Sequence, residues 1–287
     1  MNAFDSSYVL LTAAYNEEPY IEDTIRSVLA QTVRPSRWVI VSDGSTDRTD
    51  QIVQQYVVDC NFIHFVRREK DLSRGFASKV FAQRAGMQLL SISETPFIGH
   101  LDGDLTIEPK YFEVLLNKFK EDPELGIGGG WILESESGEF RQRRGNSVTS
   151  VPGAVQMFRR ECYQDVGGLL PIEYGGEDWY AEVKARMCGW RVRSFPELKV
   201  RHNRKTGQAG VKLRYCYRQG FMDFALGSHP LFQVAKLIRR IPSKPYLLGA
   251  AARLVGFGMA HITGKRMVSQ DFISFLQKEQ LSRLWPR

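Results

Sequence analysis

Four apolar runs set the frame of this chain: Tyr8-Val9-Leu10-Leu11-Thr12, Trp38-Val39-Ile40-Val41, Phe62–Val66 and Phe97-Ile98-Gly99-His100-Leu101. Each is short and is bounded by turn-forming or charged residues, which is the signature of a strand buried on both faces. Between them the period changes to that of a helix. Ile21, Ile25, Val28 and Leu29 share one face behind Pro19, which suits a first helical turn. Ile52, Val53, Tyr56 and Val57 do the same behind Ser45-Thr46-Asp47, a ready N-cap. A third helix is expected over roughly residues 76–92. Strands alternating with helices predict an α/β fold with a mostly parallel sheet and helices on both faces. Ligands of such sheets bind beyond the carboxyl ends of the strands.

The residues just past each strand therefore carry the chemistry. After the first come Ala14-Tyr15-Asn16-Glu17-Glu18, after the second Ser42-Asp43-Gly44-Ser45, and after the fourth Asp102-Gly103-Asp104. Two aspartates one residue apart repel each other and lose hydration, so a fold keeps them with compensation. A divalent cation that prefers oxygen ligands and bridges to a substrate phosphate is the usual one. The competing reading is a solvated turn, since Asp and Gly are common turn residues. Tyr15 offers a flat aromatic face, with a core aromatic as its alternative. Asp43 can accept from a ligand, with a helix cap as its alternative; residues 45–47 are better placed to cap.

In their order and spacing, Tyr-Asn-Glu-Glu, Ser-Asp-Gly-Ser-Thr-Asp, Asp-Gly-Asp and Glu177-Asp178-Trp179 resemble glycosyltransferase family 2. The resemblance covers about residues 8–205 and departs from the family little: Ser42 stands where an aspartate is common, and Gly103 fills the middle of the Asp-x-Asp motif. It implies a GT-A, Rossmann-like catalytic domain over 1–205, with a nucleotide-binding half at 1–105 and an acceptor half at 106–205. It also implies a nucleoside diphosphate sugar donor (UDP-, GDP- or dTDP-linked) and Mn²⁺ or Mg²⁺. Asp104 would be the main metal ligand, with Asp102 nearby and His202 as a further ligand; a lone histidine is as readily structural. Ala14, Tyr15, Glu17, Asp43, Arg74, Asp102 and Gly103 would face the nucleotide. Arg204 and Lys205 would meet the diphosphate, while Gly153, Ala154 and Trp179 frame donor sugar and acceptor. Asp178, seconded by Glu177, would take the acceptor's proton in one inverting displacement; the same acids also suit a helix start. The Gln-x-x-Arg-Trp signature of processive synthases is missing. Glu134–Arg144 is either a closing loop or an exposed hairpin.

Charge changes the picture at the C-terminus. Of 39 Lys+Arg and 32 Asp+Glu in 287 residues, positions 203–287 hold 15 and 3, net +12, leaving −5 for the rest of the +7 total. A basic segment points to an anionic partner. Leu231–Arg240 and Tyr246–Ala260 add apolar residues at helical spacing. The second run is short for a span and carries Arg253 near its middle. Helices over 206–287 lying on an anionic membrane surface are expected, with Lys and Arg reaching headgroups; the alternative is an ordinary helical subdomain or a dimer interface. Basic residues are not interleaved with an aromatic strand surface, so no nucleic acid partner is expected. The tail resembles peripheral-membrane sugar transferases of polysaccharide assembly, implying a lipid-linked or saccharide acceptor at the cytoplasmic face. Met1–Ser7 carries no signal-peptide pattern, and Cys60, Cys162, Cys188 and Cys216 lack metal spacing. Two rivals are a sugar nucleotidyltransferase and a non-catalytic nucleotide-sugar-binding assembly partner. The first lacks its glycine-rich basic loop, and the second would have lost one of Asp102, Asp104 or Asp178.

Overall fold

The computed structural model describes residues 5–69, 75, 77–90, 95–136, 139–143, 145–204, 209–240 and 246–285. Two compact units emerge: Met1–Pro171 with Glu177–Lys205, and Ile172–Gly176 with Thr206–Arg287.

The first unit is built on a nine-stranded sheet. Strands β1 (Tyr8–Ala14), β2 (Arg37–Asp43), β3 (Ile63–Arg68) and β4 (Phe97–His100) lie in the order β3-β2-β1-β4, all parallel. Alternate residues serve two cores. Leu10, Trp38 and Ile40 point to a cluster that includes Ile21, Ile25 and Val28 of α1 (Ile21–Leu29) and Val53 of α2 (Thr49–Asp59). Val9, Leu11, Val39 and Val41 point to a second cluster with Ala82 and Met87 of α3 (Ala77–Met87). Burial on both faces is why these strands read as unbroken apolar runs rather than alternating ones.

Beyond β4 the sheet is mixed, not mostly parallel. β8 (Met157–Arg159) pairs antiparallel with β4 and with β6 (Leu125–Glu136); β6 runs parallel to β9 (Arg191–His202), and β5 (Leu105–Ile107) returns antiparallel on β9. The physical cause is the loss of regular helical crossovers after Asp102, since only they force consecutive strands to be parallel. Glu134–Arg144 proves to be a hairpin for its described residues, with β7 (Glu139–Gln142) antiparallel on β6. Helices α4 (Tyr111–Glu121), α5 (Arg160–Val166) and α6 (Glu177–Met187) complete the unit.

The second unit is helical: α7 (Ala209–Ala225), α8 (Pro230–Arg240), α9 (Tyr246–Thr263) and α10 (Gln270–Leu284). Its interior centres on Asp223, fully buried. The carboxylate accepts from Gln233 Nε2 at 2.7 Å, Lys236 Nζ at 2.8 Å and Arg253 Nε at 2.6 Å. Lys236 and Arg253 therefore face inward, against the expectation that the basic residues of this segment point to headgroups. A buried carboxylate with three charged or amide donors is stable where a lone one is not. All four cysteines are free thiols.

Candidate active site

Parallel pairing delivers the ends of β1, β2 and β4 to one edge, with Ala14 opposite Ser42 and Leu11 opposite His100. The loop after β1 is fastened to the loop after β2. Asn16 takes a positive φ of 53° and accepts from Thr46 N at 2.8 Å. Glu17 N donates to Thr49 Oγ1 at 2.8 Å, and Glu18 N to Asp47 Oδ2 at 3.0 Å. Asp47 also accepts from Thr49 N at 3.0 Å, so the acid at the start of α2 is Asp47 and not Asp43. Tyr15 stays exposed at this rim. Asp43 is buried and is held by Ser78 Oγ at 2.5 Å and Arg68 Nη1 at 3.3 Å.

The turn after β4 packs tightly. A Cβ at Gly103 would lie 3.2 Å from Ile21 Cδ1 and 3.3 Å from Glu17 Cγ, tighter than ordinary contact. The β5–β9 register sets Leu105 opposite His202, and His202 Nε2 lies 3.1 Å from Asp104 Oδ2. Arg204 Nε donates to the same oxygen at 2.8 Å, while its other end pairs with Glu17. Burial alone would raise the Asp104 carboxyl, but the hydrogen bonds from His202 and Arg204 win and bring it to about 2. Its hydrogen bond to Asp104 raises His202 despite burial. Glu17 goes the other way: burial, then the Asp104 charge, push it up to about 7. Like charges in one partly dry site drive these values apart.

Asp178 reaches the same edge through the turn before β8. Gly153 N donates to Asp178 Oδ2 at 3.1 Å, Trp179 N to Oδ1 at 2.8 Å, and Asp102 N donates to Ala154 O at 2.9 Å. Two adjacent residues thus tie one acid's backbone to the other's side chain. Only glycine fits at 153, since a Cβ there would sit 2.6 Å from Asp178 Cβ. Glu182, one turn further along α6, anchors the turn by accepting from Val151 N at 2.5 Å and Ser150 Oγ at 3.0 Å. Its own carboxyl is pushed up to about 8 by burial and by Asp178.

Lys79 is the residue that sequence reading missed. On the first turn of α3, its Nζ lies 2.6 Å from Asp102 Oδ1. Burial would lower its pKa, but Asp102, Glu177 and Asp178 outweigh burial and raise it, so the ammonium stays charged. Burial and Asp178 raise Glu177, with Lys79 opposing. Ser78 and Lys79 are consecutive, so one helical turn holds Asp43 with one residue and Asp102 with the next. Nothing in the sequence marks them beyond a position just after Gly75. Arg74 and Lys205 lie outside the described residues.

Asp104 and His202 offer an oxygen and a nitrogen donor side by side, a set that fits Mn²⁺, or Mg²⁺ through the carboxylate, with substrate phosphates supplying further oxygens. His202 Nδ1 is buried without a hydrogen-bond partner among the described residues. Among those residues no three His, Cys, Asp or Glu side chains converge in metal-ligand geometry.

Residues 10–180 match the family model described as glycosyl transferase family 2. A poly-beta-1,6-N-acetyl-D-glucosamine synthase of Staphylococcus aureus (strain COL) is 26% identical over 204 residues, covering 65% of this chain and 47% of that protein. The chain thus spans about half the length of the curated relatives it matches. Among solved structures, a mannosyltransferase from Pyrobaculum calidifontis in complex with GDP-Man and Mn²⁺ aligns with TM-score 0.57 at 18% identity, covering 99% of this chain and 90% of that one. S. aureus TarS 1–349 in complex with UDP-GlcNAc aligns with TM-score 0.55 at 15% identity, covering 96% and 82%. The fold is that of these GT-A glycosyltransferases.

Proposed function

Since the chain belongs to glycosyl transferase family 2, we propose that it moves a single sugar from a nucleoside diphosphate donor to an acceptor hydroxyl, inverting the anomeric carbon. One observation carries the reading: a continuous set of contacts runs from Asp43 through Ser78 and Lys79 to Asp102, and on through Ala154 and Gly153 to Asp178. This chain of contacts supports a reading in which nucleotide binding and proton acceptance share one rim.

Tyr15 stacks on the base and Asp43 accepts from its edge; Ala14, Glu17, Asp102 and Gly103 line the ribose side. Asp178, its oxygens already aimed by Gly153 N and Trp179 N, takes the proton of the acceptor hydroxyl. The hydroxyl oxygen bonds to the anomeric carbon as the bond to the diphosphate breaks, and the electron pair leaves with the diphosphate. Arg204 swings from the Asp104 and Glu17 carboxylates onto diphosphate oxygens, with Lys205 beside it. Asp104 and His202 would hold Mn²⁺ or Mg²⁺, which when bound neutralises charge on the leaving group. The donor is a UDP-, GDP- or dTDP-sugar. The acceptor is a lipid-linked or saccharide precursor of a polysaccharide, met at an anionic membrane surface on the cytoplasmic face.

The test is Asp178→Asn with a panel of sugar nucleotides, with and without Mn²⁺. Donor binding, read as a rise in melting temperature, should persist while transfer and donor hydrolysis collapse. Turnover near that of the unchanged protein would reject Asp178 as the base, and no thermal response to any sugar nucleotide would reject the donor site.

A further inference from the structure

Helices α8 and α9 bury charged and polar groups beside Leu237, Phe257 and Ala260 while leaving large apolar residues exposed. In a helix on the surface of a soluble protein the apolar stripe faces the core and the polar side faces water. In α8 the polar Gln233 and Lys236 turn inward to Asp223, while Leu231, Val234 and Ile238, spaced for one face, are exposed. In α9 the guanidinium of Arg253, 1% exposed, turns inward to the same carboxylate. Outward stand Leu247 and Leu248, 63% and 66% exposed, then Leu254 and Val255, then Ile262 at 80%. Those positions recur every seven to eight residues, so they form one stripe along the helix. Asp223 supports this arrangement by accepting from all three inward groups, which lowers the cost of burying them.

We propose that these outward faces dock the protein side-on into the headgroup layer of an anionic lipid surface. The proposal deepens the membrane-surface part of the proposed function, and rests on the sugar-transfer reading only for its purpose. Three observations choose the occupant. No helix among the described residues is long and apolar enough to cross a membrane, and a helix of 18 residues reaches only about 27 Å, so the stripe lies in an interface. Residues 230–263 contain no Asp or Glu; of their basic residues Lys236 and Arg253 are held by Asp223, and the exposed Arg239 leaves the outward side positive, a charge that anionic headgroups would complement and a second copy would repel. Arg239, at the end of α8, and Lys265, just past α9, are exposed next to apolar stripes, where long side chains reach phosphates while the apolar residues enter the acyl boundary.

The test uses the full chain and its Leu248→Glu, Val255→Glu double variant; both positions are exposed, and neither belongs to the acid-lined rim. Flotation is measured with phosphatidylcholine vesicles and with vesicles of phosphatidylcholine and phosphatidylglycerol. The unchanged protein should float with the anionic vesicles, less so as salt rises, and hardly at all with the zwitterionic ones. The double variant should lose partitioning by about a hundredfold, with its far-UV circular dichroism and vesicle-free donor hydrolysis unchanged. Absence of flotation with anionic vesicles, or equal flotation of the variant, overturns the proposal. So does a dimer by light scattering that the variant turns into a monomer without vesicle binding. Donor hydrolysis is read separately, so failure of the transferase reading leaves a different trace from failure of the docking face.

Discussion

Each unit of the molecule collects buried charge, but the two clusters are balanced differently. Around Asp223 one carboxylate meets Lys236, Arg253 and Gln233, all within 2.8 Å, with Asp223, Arg253 and Gln233 buried and Lys236 partly so. At the rim of the sheet five carboxylates (Glu17, Asp102, Asp104, Glu177 and Asp178) share Lys79, Arg204 and His202. In the first cluster one acid is outnumbered by its donors, which suits a role in holding helices together. The second has more acid than base and part of it remains open to solvent, which suits a site that gains a cation and a polyanion during its work.

Mutation can break that contrast. The largest effect is expected for Asp178→Asn, with turnover reduced by about 10² to 10⁴ and urea unfolding nearly unchanged. Asp223→Ala should do the reverse. It leaves Arg253 buried, and Lys236 partly so, without an anion, so stability should fall by about 3–5 kcal/mol, read as a lower urea midpoint. A loss under about 1 kcal/mol, the range of a surface pair, would show the cluster to be open after all. Lys79→Met should lower kcat/KM about 10² by loosening Asp102 and the acids behind it, with partial rescue by Lys79→Arg; an unchanged value would make Lys79 a bystander.

The smallest effect is a pH dependence whose two parts have opposite signs. Asp104 raises the pKa of His202 above its ordinary 6.5, so the metal-free fold gains from this pair below that value and loses the gain as pH rises through the raised one. A ligating imidazole must be neutral, so Mn²⁺ affinity should climb over the same rise. Titration of Mn²⁺ by electron paramagnetic resonance at about pH 6 and about pH 8 checks it. A flat profile, or His202→Gln binding as tightly as the unchanged protein, would remove His202 from the metal's shell.

Much of the first unit was legible along the chain. Strand runs bounded by turn residues located β1, β2 and β4, and the residues just past them, Tyr15, Asp43, Asp102 and Asp104, do stand at one edge. Local pattern suffices there because a doubly buried strand has to be apolar and ligand loops have to come after it. The mixed second half of the sheet was not legible. Strands of three residues such as β5 and β8 carry too little pattern, and their direction is set by pairing with β9, β4 and β6. Ser78 and Lys79 escaped for a related reason: on a helix they read as ordinary solvated residues, and only the approach of α3 to β2 and β4 gives them partners.

The sequence by itself determined the alternation of strand and helix, the acids at the strand ends, and a basic, apolar C-terminus. Each of these is written in neighbours a few residues apart, where hydrophobic period and turn chemistry act. Tertiary structure alone decided that Arg204 bridges Glu17 and Asp104, that Gly153 and Ala154 join Asp178 to Asp102, and that Arg253 turns inward. Those choices depend on groups brought together from distant parts of the chain, and a buried charge takes whichever partner the packing offers it.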